Sequence, residues 1–335
     1  MATRAATLIA TLILMIAAWG CDRGQQPKTG ADANNAPPLG SVKLQLDWKP
    51  EPEFGGFYAA EQIGAYKRHG LAVEIVPGGV GTPTVQMVGA GKVEFGIASA
   101  DELILARSMD NDVVAIFAAY QTCPQGIMTH AARGFTQLGD LFKTGGTLAL
   151  QRGLPYAQFL EKHYSFDKLH IVPSPGGDIT AFLADPTLAQ QCFVTSEPIA
   201  ARRAGSDPNT FLVADAGYNP YTAVVVTRGS YLRDHKDVAR ALAQAVQEGW
   251  RAYLDDPNAT NAVMQKLNPG MDAQTFAESA AAQRPLIETA QTRANGLGRM
   301  TTERWEALSR QLADLKVIER APAPGECFAD LLAPQ

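Results

Sequence analysis

Short strand-like and helix-like segments alternate along this chain, and that alternation limits its fold more than any other feature. Residues 41–47 alternate apolar and polar side chains as a half-buried strand does. Residues 57–69 then form a predicted helix, which Gly70 ends in a left-handed conformation. Further strands are predicted at 71–76, 93–97 and 112–120, with short helices between them. This order predicts a parallel α/β sheet with right-handed crossovers.

A second α/β cycle begins near Leu141, and long helices dominate after residue 227. Strands are predicted in this cycle at 147–150, 170–172 and 191–194, and helices later at 237–255 and 302–315. We therefore expect an α/β protein of two lobes with a ligand cleft between them. The predicted boundaries place 41–125 and 222–335 in a discontinuous lobe 1, and 126–221 in lobe 2.

Ligands of open α/β sheets bind outside the carboxyl ends of the strands, so residues just past predicted strands are the candidate site. The aromatic candidates, which would stack on a flat ligand, are Trp48, Phe54, Tyr58 and Tyr221. Tyr156, like Ser99 and Asp101, lies at the start of a predicted helix, where free backbone N–H groups can bind an anion. The polar candidates are Asp47, Ser99, Asp101, Gln121 and Glu197. Core packing is the alternative for the aromatic residues, and helix capping is the alternative for Ser99 and the acids.

The first residues have the pattern of a secretory signal. Arg4 precedes an apolar stretch over 7–19, too short to span a bilayer comfortably, and Gly20 stands directly before Cys21. That junction is similar to a bacterial lipobox, so we expect residues 1–20 to be removed and Cys21 to be lipidated. An ordinary signal peptide beside an unrelated cysteine is the alternative.

Residues 21–40 are predicted to be a flexible tether. Gly, Pro, Asn and Gln recur there, and the segment has too few large apolar side chains to offset its ordering entropy. A lipid at its start and a folded domain at its end would give a membrane-anchored protein on the extracytoplasmic (periplasmic) side. We expect it to be a monomer.

Composition argues against several other classes of function. The formal net charge is −5 and no basic run is present, which argues against a nucleic-acid partner. The cysteines after Cys21 show no CxxC spacing and the histidines form no spaced pair, so we predict neither a metal site nor a cofactor. No Ser-His-Asp grouping can be read, so the sequence predicts a binding protein rather than an enzyme. Two of Cys123, Cys192 and Cys327 could pair, and the sequence does not say which.

Five motifs in order resemble the ABC transporter substrate-binding proteins for sulfonates, nitrate and thiamine-pyrimidine precursors. They are LQLDWKPEPEFGGFYAAEQIGAYKRHGLAVEIVPGG (44–79), VQMVGAGKVEFGIASADELILARS (85–108), TSEPIAARRAG (195–205), NPYTAVVVT (219–227) and GLGRMTTERW (296–305). The third is similar to the family's Asn-Glu-Pro motif, with Ser196 in place of Asn. The resemblance covers residues 41–332.

The resemblance implies the type II periplasmic binding protein fold and delivery of a small molecule to an ABC permease. Its LDW-x-P opening is similar to the branch that binds thiamine-pyrimidine precursors. That branch has Asn and His where this chain has Glu51 and Phe54, and 54–58 is closer to flavin-binding relatives. Riboflavin and sulfonates therefore stay open as alternative ligands.

Two further classes of function stay open beside the receptor. Eukaryotic relatives make the thiamine pyrimidine from their own active-site histidine with a pyridoxal cofactor. In this chain Phe54 stands at the histidine's place and the cysteines are dispersed, which argues against that enzyme. A sensor that uses the same fold with a separate partner is the other alternative.

Overall fold

The computed structural model describes residues 38–333. The predicted signal peptide, Cys21 and all but the last residues of the predicted tether lie outside this range. Within it, no helix is long and apolar enough to cross a membrane. Cys123, Cys192 and Cys327 are buried free thiols, so none of the three is in a disulfide.

Strands and helices alternate through the first two-thirds of the described chain, and helices follow. The strands are β1 Gly40–Gln45, β2 Leu71–Val76, β3 Phe95–Ala98, β4 Val113–Tyr120, β5 Gln125–His130, β6 Gly146–Ala149, β7 Leu169–Val172, β8 Leu188–Phe193, β9 Pro208–Leu212 and β10 Thr222–Arg228. The helices up to β10 are α1 Gly55–Gln62, α2 Ala65–Arg68, α3 Thr84–Gly89, α4 Ala100–Ser108, α5 Leu138–Thr144, α6 Pro155–His163, α7 Thr180–Ala184 and α8 Glu197–Arg203. After β10 come α9 Gly229–Asp234, α10 Lys236–Asp255, α11 Asn258–Leu267, α12 Ala273–Ile287, α13 Ala290–Asn295, α14 Thr302–Asp314 and α15 Pro324–Cys327. Short 3-10 helices occupy Pro52–Phe54, Ala131–Arg133 and Ala214–Ala216.

The strands form two five-stranded sheets, one in each lobe. The first has the order β2-β1-β3-β10-β4 and the second the order β7-β6-β8-β5-β9. This confirms the prediction of two α/β lobes. The predicted lobe boundaries stay predictions, although β10 joins the first sheet after the chain has built the second.

The prediction of purely parallel sheets is wrong, because each sheet contains antiparallel pairs. β10 runs antiparallel to both β3 and β4, and β5 runs antiparallel to β8 and β9. Both strands adjoin a connection that passes between the lobes. Neighbouring strands are parallel when a helix returns the chain to the same edge of one sheet. A chain that instead enters the other sheet makes no such crossover, so its strand can pair antiparallel.

The predicted single helix over residues 57–69 is interrupted at Gly64. That residue adopts a left-handed conformation with φ of 69°, so α1 ends and α2 starts at a new angle. α1 packs closely on α10, where Trp250 is fully buried. A Cβ atom on Gly56 would lie 2.2 Å from the Trp250 ring, so only glycine permits this approach.

Two connections join the lobes, residues 121–124 and 213–221, and they are tied to each other. The Cys123 backbone N–H donates to the Asn219 side chain at 2.8 Å. Arg304 of α14 donates to the Asn219 carbonyl at 2.9 Å, and its guanidinium lies 3.9 Å from the centre of the Tyr221 ring. The C-terminal helices thereby fix the connections, which form one end of the cleft between the lobes.

Candidate functional site

The cleft between the lobes contains two adjoining cavities. We call the smaller, of about 190 Å³, the inner chamber; it is lined by Phe54, Asp101, Cys123, Tyr156, Tyr218 and Thr222, among others. The larger, of about 750 Å³, is the outer chamber, lined among others by Trp48, Glu51, Gln151, Gln191, Glu197 and Asn268. Residues from both lobes line both chambers, as the sequence-based prediction of an interlobe cleft requires.

The loop after β1 is held at the cleft by Gly78. The Gly78 backbone N–H donates to the Trp48 carbonyl at 2.9 Å. A Cβ atom at position 78 would lie 2.2 Å from the Leu46 carbonyl oxygen, so no other residue fits against this loop. The glycine thus brings Asp47 and Trp48 to the mouth of the cleft.

Carboxyl groups dominate the wall that this loop and the following 3-10 helix provide. Asp47 and Glu53 line both chambers, and Glu51 lines the outer one. Glu51 accepts a hydrogen bond from the Trp48 indole at 3.2 Å. Among the described residues, the Glu53 carboxyl group has neither a hydrogen-bond donor nor a basic partner. Glu53 is therefore free to bind a ligand.

Burial and mutual repulsion raise the pKa of each of these acids. Burial, and next the charge of Glu102, raise the pKa of Asp47 to about 7. Burial and the charge of Glu197 raise the pKa of Glu51 to about 7. Burial, with repulsion by Glu51, Asp47 and Glu197, raises the pKa of Glu53 well above its ordinary value. A ligand that supplies N–H donors or positive charge would relieve this repulsion.

The start of α4 contributes two more acids, Asp101 and Glu102, and both are already hydrogen-bonded. Asp101 accepts from the Tyr218 hydroxyl at 2.8 Å and also from the Ser99 hydroxyl. The Ser99 backbone N–H donates to the Glu102 carboxylate at 3.0 Å. Ser99 and Asp101 line the inner chamber as predicted. Ser99 also caps the start of α4, and Asp101 also bonds Tyr218, so the structural roles given as the alternative apply as well.

The second lobe presents mainly amides and hydroxyls. The Tyr156 hydroxyl and the Gln151 backbone N–H both donate to the Gln191 side-chain oxygen, each at 2.6 Å. Two carboxylates, Asp178 and Glu197, also line this wall, and Glu197 accepts from the Phe193 backbone N–H at 2.8 Å. Burial raises the pKa of Glu197 as well.

Three predicted site residues lie in the core instead of on a chamber wall. Tyr58 and Tyr221 are 3% and 1% exposed, and Gln121 is 2% exposed. Tyr221 accepts from the Thr301 N–H at 3.1 Å, and Gln121 donates to the Ala118 carbonyl at 3.2 Å. The C-terminal segment covers Gln121 and Tyr221 through Arg299 and Thr301. Tyr58 lies on α1 and packs into the core of the first lobe.

The other predicted residues are brought together, and several unpredicted ones join them. Asp47, Trp48, Phe54, Ser99, Asp101, Tyr156 and Glu197 all line one chamber or both. Sequence reasoning missed Glu53, Glu102, Gln125, Tyr218 and Gln191. Glu51 and Glu53 lie within five residues of Trp48, and two acids so close to a predicted strand end were the available signal. Gln125 had none, because strand β5 was not predicted.

Metal coordination finds no support in the described part of the chain. No group of three or more His, Cys, Asp or Glu side chains there has a geometry that could hold a metal ion. Cys123 lines the inner chamber, and burial raises the pKa of its thiol to about 11. A thiol with that pKa is a poor nucleophile at neutral pH.

The family model described as NMT1/THI5 like matches residues 51–260, which is more than half of the chain. The chain belongs to the NMT1/THI5-like family. The match includes Glu51, Glu53 and most of both cleft walls, so the family region and the candidate site coincide.

Two relatives with curated names are binding proteins. The formylaminopyrimidine-binding protein of Halalkalibacterium halodurans is 23% identical over 230 residues, covering 66% of this chain and 68% of the relative. The riboflavin-binding protein RibY of Chloroflexus aurantiacus is 24% identical over 281 residues, covering 77% of this chain and 76% of the relative.

Solved structures of low identity share the fold. The periplasmic aliphatic sulphonate binding protein SsuA of Escherichia coli superposes with a TM-score of 0.69 at 12% identity, covering 88% of this chain and 94% of SsuA. The desulfurization enzyme DSZB has a TM-score of 0.59 at 14% identity, covering 86% and 96%. The predicted periplasmic binding protein fold is thereby confirmed, and the same fold is found in an enzyme.

Family, fold and relatives agree on the general class of this member of the NMT1/THI5-like family. It is a substrate-binding protein of the ABC import type, with a small-molecule cleft between two α/β lobes. Which small molecule binds depends on the side chains that line the cleft.

Proposed function

We propose that this protein is a lipid-anchored, extracytoplasmic receptor that delivers an amino-substituted nitrogen heterocycle, such as a thiamine-pyrimidine precursor, to an ABC permease. The observation that carries the proposal is the Glu53 carboxyl group. It is half-buried beside three other acids and has no donor from the described protein. Ring amino groups and protonated ring nitrogens are the donors that such a carboxyl group binds most strongly.

The balance of charge in the cleft favours such a ligand over an anion. Among the described residues that line the chambers, the cations are Lys49 and Arg203, and Arg203 is paired with Asp272 at 3.1 Å. A sulfonate would therefore face an excess of carboxylates in a partly desolvated site. The formylaminopyrimidine-binding relative supports a pyrimidine, whose ring matches the buried aromatic walls.

Riboflavin is the second candidate ligand. The relative named riboflavin-binding covers more of this chain than the pyrimidine-binding one does, and the outer chamber is large. A flavin ring also carries an N–H donor for a carboxylate. It is a bulkier ring, so it would have to extend from the inner chamber through the passage beside Phe193.

Binding without turnover is part of the proposal. The desulfurization enzyme DSZB has the same fold, so the fold alone does not distinguish a binding protein from an enzyme. The thiol in the inner chamber, Cys123, is held protonated by burial. The raised pKa values of Asp47 and Glu53 suit hydrogen bonding to a ligand. The Ser99 hydroxyl is bonded to Asp101, and no histidine is among the described residues that line the chambers to act as its base.

Native mass spectrometry of protein purified without denaturation tests the proposed ligand. We expect a co-purified molecule with the mass of an aminopyrimidine, released unchanged when the protein is denatured. A co-purified sulfonate would contradict the proposal, and a chemically altered product would contradict binding without turnover.

Lipid anchoring is tested at Cys21, which lies outside the described residues. Cys21→Ala should release soluble protein or leave unprocessed precursor, because the acyl chains that hold the protein to the membrane are lost. Cys123→Ala serves as the matched control, since Cys123 is buried in the folded domain. A Cys21→Ala protein that stays on the membrane at its mature size would contradict the lipoprotein assignment.

A further inference from the structure

Glu53 and Phe54 reach the cleft from a 3-10 helix of only three residues, Pro52–Phe54. The Gly55 backbone N–H closes this turn by donating to the Pro52 carbonyl. So short a segment has no stability of its own, and contacts from elsewhere in the fold must hold it. Burial of the Phe54 ring supplies one such contact, but apolar contact does not fix a direction. The direction of the Glu53 side chain therefore depends on what holds the backbone of the turn.

The side chain of Gln283 holds the Pro52 carbonyl from the far side. Gln283 lies on α12 and is 0% exposed. Its amide nitrogen donates to the Pro52 carbonyl at 2.9 Å, and its amide oxygen accepts from the Tyr120 hydroxyl. Because a carbonyl oxygen only accepts, the amide group can bond Pro52 in one orientation alone. These two hydrogen bonds give the turn the directional contact that the Phe54 ring does not supply.

The helix that carries Gln283 is itself anchored at both ends. At its start, Asp272 pairs with Arg203 of α8, in the second lobe, at 3.1 Å. One turn beyond Gln283, the Leu286 carbonyl accepts from the backbone N–H groups of residues 121 and 122, at 2.9 and 3.0 Å. Carbonyls in the last turn of a helix have no donor within the helix, so Leu286 has an acceptor to spare. A side chain on so well anchored a helix is a precise support for a binding site.

We infer that Gln283 is a positioning residue of the binding site, which directs the Glu53 carboxyl group towards the ligand through the Pro52 carbonyl. Gln283 is not among the residues that line either chamber, so it does not contact the ligand itself. The inference rests on the proposed function, because it takes Glu53 to be the group that binds the ligand. It goes further in assigning the geometry of that group to a buried amide of the C-terminal helices.

Calorimetric titration of a double-mutant cycle tests the inference. The probe is the formylaminomethyl pyrimidine, which is 4-amino-2-methylpyrimidine with a formylaminomethyl group at position 5. Gln283→Met nearly preserves the volume and removes both hydrogen bonds, so it should weaken binding of the probe roughly 10-fold in the otherwise wild-type protein. In the Glu53→Gln background the same change should weaken binding less than about 2-fold, because the carboxylate that Gln283 directs is already gone.

Two further variants control the cycle. Ser279→Ala is the matched control on α12, because Ser279 is also buried and its hydroxyl has no hydrogen-bond partner among the described residues; it should leave affinity unchanged. Tyr120→Phe keeps the ring that packs against Trp250 and removes only the hydroxyl that orients the Gln283 amide. It should weaken binding about 3-fold in the otherwise wild-type protein and not at all in Glu53→Gln. If Gln283→Met does not fold, as an apo melt would reveal, the Tyr120→Phe cycle decides.

The results separate this inference from the proposed function. A residue that only stabilises the fold would weaken binding by the same factor with or without Glu53, so equal losses in the two backgrounds would overturn the inference. Unchanged affinity in folded Gln283→Met would overturn it too. In both cases the pyrimidine receptor stands, because the wild-type protein binds the probe. Failure of the probe to bind the wild-type protein would overturn the proposed function, and the inference with it.

Discussion

The two walls of the cleft come from different lobes, and they differ in charge. The first lobe presents carboxyl groups from the loop after β1 and from the start of α4: Asp47, Glu51, Glu53, Asp101 and Glu102. The second lobe presents mostly neutral groups, among them Gln125, Gln151, Tyr156 and Gln191, with Glu197 as the main exception. The comparison indicates that one wall selects the charge of the ligand and the other its shape and hydrogen bonds.

The acidic wall destabilises the folded protein when no ligand is bound. Buried carboxylates near one another disfavour ionisation, which is why the pKa values of Asp47, Glu51 and Glu53 are raised. The neutral wall has no comparable repulsion, and its polar groups are largely bonded to each other. The two walls should therefore respond differently to pH and to mutation.

The largest effect that we expect is a loss of apo stability as pH rises from about 4.5 to about 7. The folded protein keeps protons on Asp47 and Glu51 up to about pH 7, whereas the unfolded chain releases them near 3.8 and 4.5. The folded state thus binds more protons in this window, so its stability is highest at the acid end and falls towards pH 7. Melting temperatures measured across the window check this.

A matched variant attributes that pH dependence to the acidic wall. Glu51→Gln removes one titrating group and should flatten the slope between these pH values. The same slope in Glu51→Gln as in wild type, or a melting temperature that rises with pH across the window, would show that the first-lobe acids are not strained in the apo protein.

The next largest effect should follow Glu53→Gln. Replacing the carboxylate by an amide removes a charge-assisted hydrogen bond, so affinity for the formylaminomethyl pyrimidine should fall about 10- to 100-fold. Apo stability should stay unchanged or rise, because a repelled group without a partner has been neutralised. Titration calorimetry and an apo melt measure the two quantities. Retained affinity together with a lower melting temperature would indicate a structural role instead.

The smallest effect is expected on the neutral wall. Gln125 lines both chambers and donates to the Cys192 carbonyl at 3.2 Å. Gln125→Leu should weaken pyrimidine binding by roughly 3- to 5-fold, the amount that one neutral hydrogen bond contributes. A larger loss than that of Glu53→Gln, measured in parallel titrations, would reverse the assignment of roles to the two walls.

The sequence predicted the first lobe of the fold better than the connections between lobes. β2 matches its predicted range, and β1 begins one residue before its own, because each is a local apolar pattern bounded by turns. β5 and β9 were not predicted, since their pairing depends on the chain passing into a second sheet. The antiparallel insertion of β10 has the same origin and leaves no local signal.

The candidate site was predicted to a similar extent. Strand ends correctly indicated that Asp47, Trp48, Tyr156 and Glu197 line the cleft. Gln121 also follows a strand and Tyr221 directly precedes one, but the C-terminal segment covers both, and that contact joins residues far apart in sequence. Glu53 lies in a 3-10 helix instead of at a strand end, so the search for polar residues at strand ends did not identify it.

The acidic cleft is proposed to bind a nitrogen heterocycle with N–H donors and not to bind anions. Calorimetric titration of the wild-type protein at pH 7 and low ionic strength, with the formylaminomethyl pyrimidine and separately with an alkanesulfonate, tests it most directly. The account predicts saturable binding of the pyrimidine at one site and no heat of binding for the sulfonate. Saturable binding of the sulfonate, with none for the pyrimidine, would contradict it.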